Sequence, residues 1–144
     1  ELNPNAGLIS GTFAGSTGGL RAGAKVMELL KTRLAGPNGR IRQLEKLSLA
    51  EFERIKAGPH GKHLHDYTVV GGMVACTLFD GTLDQVKKYL FKLWDLGAFA
   101  FYAGHGPYRV RMLPPFGVMT DDQVKHVFRL LEQCIGETAR ELGQ

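Results

Sequence analysis

Residues 98–115, AFAFYAGHGPYRVRMLPP, decide the fold class. Two apolar runs, Ala98 to Ala103 and Tyr108 to Leu113, read as strands, and Gly104-His105-Gly106-Pro107 links them. A link that short makes the strands antiparallel neighbours. Pro114-Pro115 then ends the second strand, because proline has no N–H to give a ladder. Within that strand Arg109 and Arg111 alternate with Tyr108, Val110 and Met112, so both arginines share one face. A guanidinium fork on such a face suits a carboxylate. The plain alternative is two solvated arginines on an edge strand.

Working outward, Tyr67 to Phe79 reads as a further strand, with Val69, Val70, Val74 and Thr77 supplying β-branched residues. Gly71-Gly72 inside it reads as a bulge or a close backbone approach. After the Asp80-Gly81 turn, Thr82-Leu83-Asp84-Gln85 fits a capping box. Leu83, Val86, Leu90 and Trp94 mark the expected buried face of the helix it opens. Thr120-Asp121-Asp122-Gln123 caps a last helix whose Val124, Val127, Phe128, Leu131, Cys134 and Ile135 keep helical spacing. Upstream, Arg40 to Ala57 is helical, and a capping-box pattern at Ser48 leaves open two helices meeting there. Gly58 to Asp66 reads as a loop.

Residues 11–34 form a glycine-rich loop that turns into an amphipathic helix, with Thr17 as the expected N-cap. Leu20, Ala24, Met27, Leu30 and Leu34 recur on one face, and Ala35-Gly36-Pro37-Asn38-Gly39 stops the helix. Loop amides and the hydroxyls of Thr12, Ser16 and Thr17 gather at its start, which suits an anion. The expected architecture is α+β: a long N-terminal helix plus a three-stranded, largely antiparallel sheet covered on one face by helices. Residues 1–16 read as an irregular lead-in and loop, the end of a missing large domain, and 17–144 as a small C-terminal domain.

At 144 residues the chain can bury a real core, and its 44% hydrophobic, 22% charged composition is that of a globular protein. The net charge of +4 arises from scattered lysines and arginines, with no basic block interleaved with aromatics, which argues against nucleic acid as a partner. The longest apolar run, Gly71 to Phe79, is too short to span a bilayer. No signal peptide is visible. Cys76 and Cys134 read as isolated buried thiols, which points to a reducing compartment, the cytoplasm. Six glycines fall between Gly7 and Gly23, so much backbone freedom that the region is expected to meet a missing surface.

Three segments carry a family resemblance. SGTFAGSTGGLRAG (10–23) resembles the G-T/S-x-x-G-N-P signature of the class III PLP-dependent aminotransferases of fold type I, although Ser16 and Thr17 replace Asn-Pro. VVGGMVACTLFDG (69–81) is similar to the family's R-G-x-G-L-M-x-G-I-E-L strand without its arginine. VRMLPPFGVMTDDQV (110–124) is similar to its I-R-F-x-P-P-L-x-I-T segment. The first segment is nearest the glutamate-1-semialdehyde aminomutase branch. Arg111 points instead to ornithine-type and other members that keep the arginine.

The resemblance implies a C-terminal domain of an amino-group-transferring enzyme. Gly11 and Thr12 would bind the phosphate of pyridoxal 5'-phosphate, Thr12 from the neighbouring subunit of a homodimer, and Arg111 would grip the carboxylate of an amino-acid substrate. The family's Schiff-base lysine precedes the first motif by tens of residues, so this chain would be incomplete and inactive without the large PLP-binding domain. No catalytic residue is assigned.

Two other readings stand beside this one. His60, His63 and His65 crowd one loop, and His63-x-His65 could place two imidazoles on one side of an extended segment as metal ligands. No cysteine or clear carboxylate set completes that site, and no metal is expected. The chain could also be a stand-alone α+β domain that binds an anion or small ligand without covalent chemistry. An exposed apolar face would favour the enzyme domain; a closed polar surface would favour the binding module.

Overall fold

The computed structural model describes residues 15–144. Helix α1 (Thr17–Leu29) runs into a π-helical turn (Leu30–Leu34), and α2 (Arg40–Ala57) follows. A 3₁₀ turn (Gly61–His63) leads into β1 (Leu64–Val70) and β2 (Met73–Leu78). Then come α3 (Leu83–Asp95), β3 (Phe101–Ala103), β4 (Arg109–Met112) and α4 (Asp121–Leu142). The strands form one antiparallel sheet in the order β1-β2-β4-β3. The α+β class holds, with four strands where three were expected. What reads as one strand from Tyr67 to Phe79 is a hairpin. Gly71 takes φ +57, a left-handed conformation that reverses the chain at Gly71-Gly72, and Val70 pairs with Met73 across it.

One face of the sheet is covered. Val69, Val74, Cys76, Leu78, Val110 and Met112 are buried there beneath α2, α3 and α4. Phe52 of α2 ties the layers together: its ring stacks on Tyr67 of β1 and meets Phe128 of α4 edge-on, each at 4.8 Å between centroids. Such pairs add about 0.5–1.5 kcal/mol beyond the area they bury. Tyr89 of α3 is wholly buried, with its hydroxyl donating to Leu131 O at 3.4 Å, and Cys134 Sγ donates to Tyr89 O at 3.3 Å. Both thiols are buried and unbridged, as the sequence leads one to expect.

The caps of α3 and α4 are those expected, Thr82 and Thr120, and the latter closes a full capping box with Gln123. Three expectations are corrected. Helix α2 runs unbroken through Ser48, which is fully buried in mid-helix instead of capping a new helix. On α3 the buried face is Val86, Tyr89 and Leu93, while Trp94 is 61% exposed. The N-cap of α1 is Ser16, whose Oγ accepts from Gly19 N at 3.1 Å, one residue before Thr17.

Helix α1 buries none of its residues. Leu20 and Met27, on its expected apolar face, are 64% and 55% exposed. Its C-terminal end is held where the Leu34 side chain packs close to Gly117. Elsewhere a buried carboxylate fixes the hairpin to its helix: Glu45 of α2 accepts from Gly71 N at 2.9 Å and also pairs with Arg42.

Two substitutions test this packing. The Ser48 hydroxyl is buried without a hydrogen-bond partner among the described residues, in mid-helix. Ser48→Ala removes an unsatisfied group and raises helix propensity, so it is expected to stabilise by about 0.5–1 kcal/mol; a lower urea midpoint would reveal a partner for the hydroxyl. At Gly61 a Cβ would lie 1.9 Å from the Lys56 carbonyl oxygen, which is backbone and cannot swing aside. Gly61→Ala is expected to cost more than about 2 kcal/mol, and a urea midpoint equal to wild type would contradict that contact.

Candidate functional site

Strand alternation builds the site. Val110 and Met112 point into the core, so Arg109 and Arg111 project from the opposite face of the sheet, which no helix covers among the described residues. Pairing extends this face sideways: Thr68 lies opposite Ala75, Ala75 opposite Arg111, and Arg111 opposite Phe101. One row further, Asp66 is opposite Thr77 and Arg109 opposite Ala103.

The two guanidinium groups have different surroundings. Arg109 Nη2 donates to Asp66 Oδ2 at 2.7 Å and to Thr68 Oγ1 at 3.4 Å. Arg111 has no carboxylate partner among the described residues. Its Nε is buried with no hydrogen-bond partner there, as is that of Arg109. Arg111 thus shares one sheet face with Arg109 and differs from it in having no carboxylate partner among the described residues. Asp66, placed in a loop by sequence alone, belongs to β1 and reaches across the sheet to Arg109. The signal for it lay in the hairpin, which brings β1 beside β2 and so within reach of β4.

The other expected site residues, Gly11 and Thr12, lie outside the described residues, so the cofactor-phosphate role given to them has no geometry here. Residues 15–19 do show the start of α1 capped by Ser16, with no acidic side chain in the first turn. The nine lysines of the chain stand on helices or on the 3₁₀ and π turns, and none is on a strand with Arg111. Among the described residues, then, no lysine shares the sheet with Arg111 to hold a cofactor covalently.

The histidine cluster comes apart in three dimensions. His63 is buried in the 3₁₀ turn, its ring 5.2 Å from that of Phe79, while His65 is exposed on β1. The His60 ring packs over Gly136 of α4, where a Cβ would lie 2.5 Å from Nε2. No group of three or more metal-ligating side chains assembles among the described residues. Cys76 lies on the core side, where burial pushes its thiol up to about 12, and the nearby Arg109 charge offsets this only in part. Cys134 is likewise pushed up to about 12, mainly by burial. Neither thiol has the character of a nucleophile. No helix among the described residues is long and apolar enough to cross a membrane.

No protein-family model matches the sequence, and no curated protein matches it. Solved structures do match. A transaminase from directed evolution by ancestral reconstruction superposes with a TM-score of 0.72 at 15% identity, over 95% of this chain and 31% of its own. Lysine aminotransferase from M. tuberculosis, in its internal aldimine form, gives 0.65 at 18% identity over 79% of this chain and 24% of its own. A PLP-bound aminotransferase mutant from Vibrio fluvialis gives 0.57 at 25% identity over 71% of this chain and 23% of its own. The chain has the fold of a transaminase domain. It spans about a quarter to a third of the length of these structures.

A pH dependence follows from His63. Burial, followed by the charges of Lys62, His60 and His65, holds its pKa below the ordinary 6.5. As pH falls through 6.5 the unfolded chain takes up a proton that the folded chain refuses, so stability declines until the lowered folded pKa is reached. His63→Gln is expected to flatten the urea midpoint against pH between the two pKa values. An unchanged slope would assign the dependence to another group.

Proposed function

We propose that this chain is the C-terminal small domain of a class III PLP-dependent aminotransferase, and that Arg111 binds the carboxylate of its amino-acid or keto-acid substrate. The observation that carries the reading is Arg111 on the sheet face opposite the core, without a carboxylate partner among the described residues, beside an Arg109 that has one. The transaminase fold supports it. So does the spread of exposed apolar side chains, on α1 at Leu20 and Met27 and on α3 at Phe91 and Trp94. A self-contained binding module would be expected to close such surfaces. In this reading they are covered by the large domain of the same enzyme and by a second subunit of a homodimer.

In the complete enzyme PLP supplies the electron sink that makes amino-group transfer accessible. The part played by this chain is orientation. A bidentate guanidinium fixes both the position and the plane of the substrate carboxylate. Gly11 and Thr12 would hold the cofactor phosphate, and the Schiff-base lysine would come from the large domain, so this chain alone would be inactive. A cytoplasmic location accords with the two unbridged thiols.

The test is kinetic. In the complete enzyme Arg111→Ala is expected to raise KM for the amino acid about 10- to 150-fold, equivalent to ~1.5–3 kcal/mol for a hydrogen bond to a charged group, with PLP affinity unchanged. A parallel loss of PLP affinity would remove Arg111 from the substrate role.

A further inference from the structure

The sheet face that presents Arg111 presents a second arginine two residues away, and a site with two free guanidinium groups would favour anions with two carboxylates. Only one of them is free. Arg109 is engaged by Asp66 at 2.7 Å and by Thr68 at 3.4 Å, and its side chain retains 28% exposure. Asp66 belongs to β1 and Arg109 to β4, with β2 lying between them, so this ion pair spans two strand spacings of the sheet. That reach draws the Arg109 head group away from β3 and toward β1. Arg111 lies in the next row, between Ala75 on β2 and Phe101 on β3. Neither neighbour carries a charge, so nothing in its own row competes for an incoming anion.

Resting on the reading of Arg111 as the carboxylate ligand, we infer that Asp66 is a specificity-determining residue: it neutralises Arg109 and thereby makes this face a site for one carboxylate instead of two. Asp66 touches no substrate in this scheme and acts through Arg109, as a positioning residue. Two physical effects combine. The Asp66 charge cancels that of Arg109 at short range, and the hydrogen bonds hold one edge of its guanidinium, Nη2, away from a ligand. A substrate with a second carboxylate beyond Arg111 would meet a neutral pair, and displacing Asp66 would return its charge to the same face. A monocarboxylate incurs neither penalty. The substrate class that follows is amino and keto acids with a single carboxylate.

The experiment uses the whole chain and reads each arginine separately. Nε–H resonances are assigned by Arg109→Lys and Arg111→Lys, and propionate and succinate serve as the one- and two-carboxylate probes. In the wild type propionate is expected to shift the Arg111 resonance and leave that of Arg109 in place, with succinate binding no tighter than propionate. In Asp66→Asn the Arg109 resonance should respond as well, and succinate affinity should rise about two- to fivefold over wild type, the range of a partly exposed ion pair. Propionate affinity should change less than succinate affinity. Circular dichroism of Asp66→Asn checks that the fold is retained, and Asp66→Glu, which keeps the charge, should restore the wild-type pattern. If Arg109 responds together with Arg111 in the wild type, or if Asp66→Asn leaves succinate affinity unchanged, the role of Asp66 is overturned while that of Arg111 stands. If neither anion moves the Arg111 resonance in any variant, the carboxylate-ligand reading itself falls, and the inference with it.

Discussion

Strand parity governs this domain. Every residue of a strand must face either the helices or the open side, and a slip of one residue in pairing would exchange the two sets. In β4 that slip would turn Val110 and Met112 outward and drive Arg109 and Arg111 beneath α3 and α4. Burying two guanidinium groups without partners would cost far more than the domain's net stability. The register is therefore held by what it keeps out of the core as much as by what it puts in. The arrangement of Arg111, the free sheet face and the helix layer all follow from this one alternation.

Much of the architecture can be read from residues because it depends on local chemistry. Thr82 and Thr120 cap helices since a hydroxyl before a polar, acidic first turn has few better uses. The strand read at 108–113, observed as Arg109–Met112, is evident from an alternation that no helix would produce. Other features depend on distant partners and are invisible locally. The Ser48 pattern is a good capping box, yet α4 and the sheet bury that face of α2, so the continuous helix wins. Trp94 has the spacing of a core residue, but Tyr89 and Leu93 occupy the layer and Trp94 is left outside against Phe99, at 5.0 Å between ring centroids. The hairpin was hidden because Gly71-Gly72 serves a bulge and a reversal equally well. Its resolution required Glu45 of α2, which accepts the Gly71 N–H.

The same division runs through the candidate site. Arg111 was legible because it sits in a motif and in an alternating strand. Asp66 was not, since its meaning comes from a neighbour 43 positions away in the chain. The histidines failed in the opposite direction: close in sequence, they are separated by a 3₁₀ turn that buries His63 and turns His65 outward. Proximity along the chain is a poor guide to constellations whose members stand on different strands.

The exposure of α1 has a consequence for cooperativity. Three of its 13 residues are glycines, Gly18, Gly19 and Gly23, each costing a helix about 1 kcal/mol relative to alanine. With no buried side chain to offset that cost, its helical state depends on backbone hydrogen bonds, one capping serine and the exposed Lys25–Glu28 ion pair, and a helix of this length so held is marginal in water. A domain built this way is expected to behave as two thermodynamic units, a core that melts in one step and a helix whose content declines gradually with temperature. Association with a covering surface would merge them, so that part of the energy of contact appears as secondary structure in this chain.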